Sequence, residues 1–166
     1  MPQRFRGSDT YKVDSKGRVS IPAQFRRVLE ASDPDWTEGL NPNLVIVYGD
    51  EEQTFLDCYS IEAMREIDAK ISAMQRFSPK REYFEEHFYG NALPTQVDET
   101  GRLLLPTKLR NKIALKDAAY FHAKGDTFQI WNPAEFEAVA KPRRDTFRAS
   151  LPQGVNPLAL LDDEGV

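Results

Sequence analysis

Little in this sequence is suited to covalent or metal chemistry. There is one cysteine, Cys58, so no internal disulfide is possible, and a reducing compartment fits. Cys58 alternates with Leu56 in a strand-like pattern, which reads as a buried structural thiol. There are two histidines, His87 and His122, and neither has a Cys or His partner at ligand spacing. No phosphate-binding G-x-x-x-x-G-K-[ST] loop and no G-x-S-x-G elbow occurs. An enzyme, a resident cofactor, a metal site and a small-molecule substrate are therefore not expected. No apolar run approaches the roughly 20 residues that span a bilayer, so no membrane partner is expected. The polar opening "MPQRFRGSDTYKVDSKGR" lacks the apolar centre of a secretion signal, which points to the cytoplasm.

A large excess of one charge is also missing. The net charge is −4, with 40% hydrophobic and 29% charged residues over 166 positions. That is a soluble globular balance, sufficient for one ordinary domain or two small ones. The charge is unevenly spread, however. Residues 1–30 carry Arg4, Arg6, Lys12, Lys16, Arg18, Arg26 and Arg27 against Asp9, Asp14 and Glu30, a net +4, which leaves −8 elsewhere. Such asymmetry matters more than the total for steering a charged ligand.

The positive part holds half of an internal repeat. "VDSKGRVSIPAQFR" at 13–26 returns as "VDETGRLLLPTKLR" at 97–110. Asp14, Gly17, Arg18, Pro22 and Arg26 pair with Asp98, Gly101, Arg102, Pro106 and Arg110. A second match, "FLDCYSIEAM" at 55–64 with "TFQIWNPAEF" at 127–136, runs at an offset shorter by 12 residues. The Pro-, Asp- and Asn-rich segment 32–43 is the expected site of that insertion. Each unit reads as strand, tight turn, strand and helix. The Asp side chain bonds the backbone ahead of it, and Gly takes positive φ. Pro22 suits the first helical position, and Phe25, Val28 and Leu29 give its helix an apolar face. Leu109 and Ile113 do the same in the second unit. Between the units, Met64, Ile67, Ile71 and Met74 predict an amphipathic helix. Ser78-Pro79 predicts a capped second one through Tyr83, Phe84 and Phe88, ending near Gly90. Residues 141–166 begin basic, end acidic and are expected to be poorly ordered.

Asp14 and Gly17 are explained by turn geometry. Arg18 is not: it is either an exposed salt-bridge partner of Asp14, worth little, or a guanidinium held ready for a phosphate or a guanine edge. Phe5-Arg6-Gly7, Asp14-x-Lys16-Gly17-Arg18, Pro22 and Arg26, with the second Asp98-x-x-Gly101-Arg102, Pro106-x-x-x-Arg110 and the "FQIW" strand, resemble the MraZ family over about residues 4–140. The resemblance implies an α+β, β-rich fold. Two tandem swapped-hairpin modules of the AbrB/SpoVT type (8–63 and 92–140) would form a pseudo-twofold barrel, with a helical-hairpin linker at 64–91. It also implies a nucleoid-associated, DNA-binding transcriptional regulator. Such a protein assembles into a ring and usually represses the division and cell-wall gene cluster containing its own gene.

Charge suggests which turn meets DNA. Ser15-Lys16 in the first becomes Glu99-Thr100 in the second, and a carboxylate beside a phosphate is repulsive. Arg18 is the expected base contact, with Lys16 next. Lys12, Arg4 and Arg6 are expected on phosphates, and Asp14, Gly17, Asp98, Gly101 and Arg102 in turn geometry. The expected partners are double-stranded promoter DNA, read as direct repeats, and further copies of the chain in a cyclic homo-oligomer. Two other classes fit the same features: an antitoxin-like DNA binder and a ring-forming structural or adaptor protein.

Overall fold

The computed structural model describes residues 3–162. Eight strands and seven helices follow in order. The first module holds β1 (Ser8–Lys12), β2 (Arg18–Ser20), α1 (Ala23–Ala31), β3 (Asn43–Val47) and β4 (Phe55–Ser60). Helices α2 (Ile61–Ser72) and α3 (Pro79–Glu85) then lead, through a π-helical turn at Glu86–Gly90, into the second module. That module holds β5 (Ala92–Gln96), β6 (Arg102–Leu104), α4 (Thr107–Lys112), β7 (Ala118–Ala123) and β8 (Thr127–Trp131). Last come α5 (Pro133–Glu135), a π-helical turn at Phe136–Ala140, α6 (Lys141–Ser150) and α7 (Pro157–Leu161).

The two modules are built through each other. Six strands form one antiparallel sheet in the order β1-β7-β8-β4-β3-β5, and β2 pairs with β6 in a separate ribbon. The first strand of each module thus lies against the third strand of the other. Exchanging the modules reverses the strand order and leaves it unchanged. Val19 stands opposite Leu103, and Asp57 opposite Gln129, so the pseudo-twofold axis crosses both ladders at equivalent residues. The expected barrel is not closed. Among the described residues no ladder joins β1 to β5, because β2 and β6 satisfy each other instead of extending the sheet.

The registers also correct the position of the insertion. Ser8 pairs with His122, and its counterpart Ala92 pairs with Val47, so β3 and β7 correspond at an offset of 75 (122 minus 47). β4 and β8 correspond at 72 (129 minus 57). Of the 12 extra residues of the first module, nine therefore precede β3 and three lie in the β3–β4 turn. That longer turn is pinned by Lys112, whose Nζ donates to the carbonyls of Asp50 (2.7 Å) and Gln53 (2.6 Å). In the longer insertion Asp33 is buried. Its carboxylate accepts from the backbone N–H and the side-chain amide of Asn43, both at 3.0 Å.

One hydrophobic cluster serves both modules. Phe25, Val28 and Leu29 of α1 join Leu44, Ile46, Leu56, Phe121, Phe128 and Ile130 from the sheet, with Leu109 of α4 and Ile113 beyond it. Val19, Ile21, Leu103 and Leu105 close it from the ribbon, and Cys58 is buried within it. Burying a side chain of this size contributes roughly 1.5–3 kcal/mol, so neither thin module has to stand alone. Pro22 and Pro106 sit one residue earlier than expected, as the capping residues of α1 and α4. Their carbonyls accept the first helical bonds, from Phe25 and Arg26 and from Leu109 and Arg110.

The linker helices follow their sequence signals. Ser60 and Ser78 cap α2 and α3 by accepting from the amides of Ala63 and Arg81. Arg81 is buried and ties the helical hairpin together, donating to the Met74 carbonyl (2.8 Å) and pairing with Glu85 (3.3 Å). The described residues from 134 to 162 belong to a compact unit of their own. Most of the segment read as poorly ordered is helical there. Pro142 occupies the first turn of α6, directly after the π-helical turn, where its missing N–H interrupts the regular ladder.

Asp57, on the pseudo-twofold axis, is an unfavourable carboxylate. Burial pushes its pKa up to about 6, with Asp126 acting in the same sense, against the hydrogen bond from the Tyr59 hydroxyl (3.0 Å) and the Lys124 charge. The folded chain therefore holds this proton more tightly than the unfolded chain. Stability falls as pH rises from about 4 through 6, and the ionised group costs on the order of 1–3 kcal/mol above that. Asp57→Asn is expected to raise the thermal midpoint at pH 7.5, with the gain fading toward pH 4. Melting curves across that range check this, and a pH-independent difference would contradict it.

Candidate nucleic-acid interface

The Asp-x-x-Gly-Arg sequence folds into the same turn twice. In the first, Asp14 Oδ1 accepts from the amides of Lys16 and Arg18, both at 2.9 Å, while Oδ2 accepts from Arg18 Nε at 2.8 Å. The Gly17 amide donates back to the Asp14 carbonyl at 3.0 Å, which requires Gly17 at φ +87°. The backbone bond from Arg18 is the largest influence on Asp14. Together with the Arg18 guanidinium and the Lys16 amide it outweighs partial desolvation and lowers the carboxyl to about 2. Asp14 is thus a fixed anion at any physiological pH, and it holds one nitrogen of Arg18.

The second turn repeats this with one change. Asp98 Oδ1 accepts from the amides of Thr100 and Arg102, both at 2.9 Å, and Gly101 takes φ +80°. Thr100, however, holds the position of Lys16. Its hydroxyl donates to Asp98 (2.8 Å) and accepts from Arg102 Nε (2.8 Å), leaving Arg102 3.3 Å from the Asp98 carboxylate. Burial raises the Asp98 pKa, but the backbone and side-chain bonds from Arg102 and Thr100 override it and the net shift is downward. Turn one therefore presents a free ammonium where turn two presents a hydroxyl engaged in its own turn.

The ribbon decides where these groups point. Arg18 pairs with Leu104 and Ser20 with Arg102, flanking the buried Val19–Leu103 pair. Side chains alternate along strands, so Arg18, Ser20, Arg102 and Leu104 all face away from the core. The two arginines are diagonal neighbours on one outward face, with Cα atoms about 7–8 Å apart. Their side chains are equally accessible, 34% for Arg18 and 35% for Arg102. Leu104, 51% exposed, lies on the same face. Sequence reasoning assigned Arg102 to turn geometry alone; the ribbon register places it beside Arg18. What separates the turns is charge: residues 12–18 sum to +2 and residues 96–102 to −1.

The remaining candidates divide. Lys12 ends β1 next to the first turn and is exposed, as is Lys16. Arg4 and Arg6 lie beyond the opposite end of β1, about 20 Å from Lys12 at the rise of an extended strand. They flank Phe5, which is buried against Phe25 and Phe128 and bonded to the Gly125 carbonyl (2.7 Å). Gln24 of α1 fixes this segment, donating to the Arg4 carbonyl (2.7 Å) and accepting from the Arg6 amide (3.5 Å). Arg4 shares a small cavity with Glu62, Glu66 and Asp126, whose charges compensate its own. Arg6 borders a second cavity with Ser8, Tyr11 and Pro22.

Two repeated residues that sequence reasoning left without a role lock the turns. Arg26 reaches the Asp98 carbonyl of the other module and pairs with Glu30 (3.2 Å). Arg110 donates to the Leu105 carbonyl (2.9 Å) and lies against Gly17. The turns also grip each other's strands: Gly17 O accepts from Leu105 N (2.8 Å) and Gly101 O from Ile21 N (3.0 Å). Only the repetition of Arg26 as Arg110 could have signalled this. His122 bonds Ser8 (2.9 Å) on the sheet edge. Among the described residues, no group of three His, Cys, Asp or Glu side chains is placed to hold a metal ion, and no helix is long and apolar enough to cross a membrane.

Residues 88–151 match a family model described as "MraZ protein, putative antitoxin-like". A "Transcriptional regulator MraZ" of Ruegeria pomeroyi is 56% identical over 165 residues, covering 99% of both chains. One from Cereibacter sphaeroides is 36% identical over 173 residues, covering all of both chains. A third, from Methylocella silvestris, is 35% identical over 139 residues, covering 84% of this chain and 80% of its own.

Proposed function

The chain belongs to the MraZ family, and from that premise we propose that it is a transcriptional regulator that binds promoter DNA sequence-specifically through the outward face of its β2–β6 ribbon. The observation that carries this reading is the pair of turn-anchored arginines on one exposed face. Arg18 is the base-reading group. Its Nε is held by Asp14, which leaves its two terminal nitrogens to bond a guanine edge. Lys16 and Lys12 meet flanking phosphates, which position the ribbon without specifying sequence. Arg6 contacts the backbone farther along β1, and Arg4 contributes least because acidic neighbours surround it. The second turn, with Glu99 and a self-satisfied Thr100, is a structural counterpart whose Arg102 supports the first.

The exchanged pairing of first and third strands suits a swapped-hairpin AbrB/SpoVT-type fold with modules at 8–63 and 92–140 and a linker at 64–91. In this reading the chain forms a cyclic homo-oligomer on the nucleoid in the cytoplasm. Copies related by rotation present their turns in the same sense and read direct repeats about 10 bp apart. Each contact is weak, and linked copies supply avidity. Binding at the promoter of its own division and cell-wall cluster would repress transcription.

A footprint on the native upstream region tests the proposal. The expected result is periodic protection of direct repeats, roughly 10 bp apart, with affinity falling steeply between low and physiological salt. No protection even at low salt would reject DNA regulation and favour the adaptor reading. Co-purification of a small toxin would favour the antitoxin-like one.

A further inference from the structure

We propose that helix α6 (Lys141–Ser150) is a second, sequence-independent DNA contact that binds the phosphate backbone. The inference rests on the DNA-binding reading above and extends it to a surface outside the turns. Lys141, Arg143, Arg144 and Arg148 against Asp145 give this ten-residue helix a net +3 in a chain of net −4. Every residue of α6 is exposed, and none of its side chains enters a core. Apart from Phe147, which is itself 54% exposed, its long side chains are polar, so packing does not explain the helix. Continuation from the preceding helical turn and the helix propensity of its lysine, arginines and alanine account for its being a helix. They do not account for four cations.

The cations are also arranged. At 100° per residue, Lys141, Arg144 and Arg148 fall within about 60° of one another and form a stripe. The stripe spans about 10 Å, the axial advance of roughly three base pairs. Lys141 pairs with Glu137 (3.3 Å) and Arg144 with Asp145 (3.8 Å). Both pairs lie on the surface, where such contacts contribute little, so phosphates can readily replace them. Arg143 and Arg148 make no ion pair among the described residues. Phosphate neutralisation with counterion release is the interaction that an exposed cationic stripe held only by weak surface pairs gains most from. The helix lies in a compact unit separate from the turns, so its contribution adds as a tethered second site.

The test uses the full chain with the triple variant Arg143→Ala, Arg144→Ala and Arg148→Ala. Titrations over a salt series use the upstream promoter duplex and a scrambled duplex. Alanine keeps helix propensity, so circular dichroism and size-exclusion volume should not change. The expected result is a drop of ten-fold or more in affinity for both duplexes at physiological salt. The slope of log K against log salt should fall by 2–3 per chain, with the footprint register retained. The corresponding triple lysine variant should keep most of the slope. An unchanged slope, alongside loss of the footprint in Arg18→Ala, would overturn the α6 contact while leaving the turn reading intact. A changed assembly size would overturn it in favour of a contact between copies. A loss confined to the promoter duplex would overturn its sequence independence. If the unaltered protein binds neither duplex, the DNA reading itself fails.

Discussion

Arg18→Ala is expected to lower promoter affinity at least 100-fold at physiological salt, and Arg102→Ala about ten-fold or less, with both assemblies unchanged in size. The two side chains are equally exposed on one face of the ribbon, so access does not distinguish them. Their surroundings do. Arg18 stands beside Lys16 and Lys12, whereas Arg102 stands beside Glu99 and shares its Nε between Thr100 and Asp98. A bidentate contact to guanine contributes about 1–3 kcal/mol of discrimination, and loss of the same contact from several linked copies compounds. Arg18 anchors neither the core nor the other module: among the described residues its side chain bonds only Asp14. Its removal should therefore barely move the melting temperature, which separates a binding defect from a folding defect. Fluorescence titration on the promoter duplex, with size-exclusion and melting controls, decides the matter. Equal losses for the two variants would refute the charge-based assignment and make the ribbon a symmetric two-arginine reader.

The turns themselves were legible in the sequence because they are local. Asp, Gly and Arg at fixed spacing leave the backbone few alternatives, and the bonds formed by Asp14 and Asp98 are those the residue types suggest. The caps at Ser60 and Ser78 were legible for the same reason. The pairing of strands was not, since β1 meets β7 across more than a hundred residues and nothing in either strand names its partner. Nor could spacing say that the 12 extra residues divide as nine and three; only the registers do. The outward placement of Arg102 depends on the Val19–Leu103 pairing, a relation between modules, so it too was hidden. The helical order of α6 was missed because a basic, apolar-poor segment carries no periodic signal of burial.

Gly17→Ala is expected to destabilise the protein by about 3 kcal/mol or more, and Gly101→Ala by only about 1 kcal/mol, although both glycines occupy the same place in the same motif. Both hold positive φ, +87° and +80°, and an L side chain in that region costs roughly 1 kcal/mol at either position. The difference comes from what lies above them. A Cβ on Gly17 would stand 2.5 Å from the Leu105 carbonyl oxygen and 2.7 Å from Arg110 Nε, whereas one on Gly101 meets nothing within 4 Å among the described residues. Arg110 can swing aside, but Leu105 is backbone, held by its own bond to Gly17 (2.8 Å), so the clash must shift the joint between the modules. Denaturant melts should therefore show a much lower midpoint for Gly17→Ala than for Gly101→Ala. Adding Arg110→Ala to Gly17→Ala should recover only part of the loss, because the carbonyl contact remains. Equal losses at the two glycines would mean that backbone conformation is the whole cost and that the close approach at Gly17 relaxes freely. The asymmetry arises because Arg110 turns onto Gly17 while its counterpart Arg26 reaches the Asp98 carbonyl and Glu30. The first turn is thereby the one covered at its glycine, which fixes the backbone that carries Lys16 and Arg18.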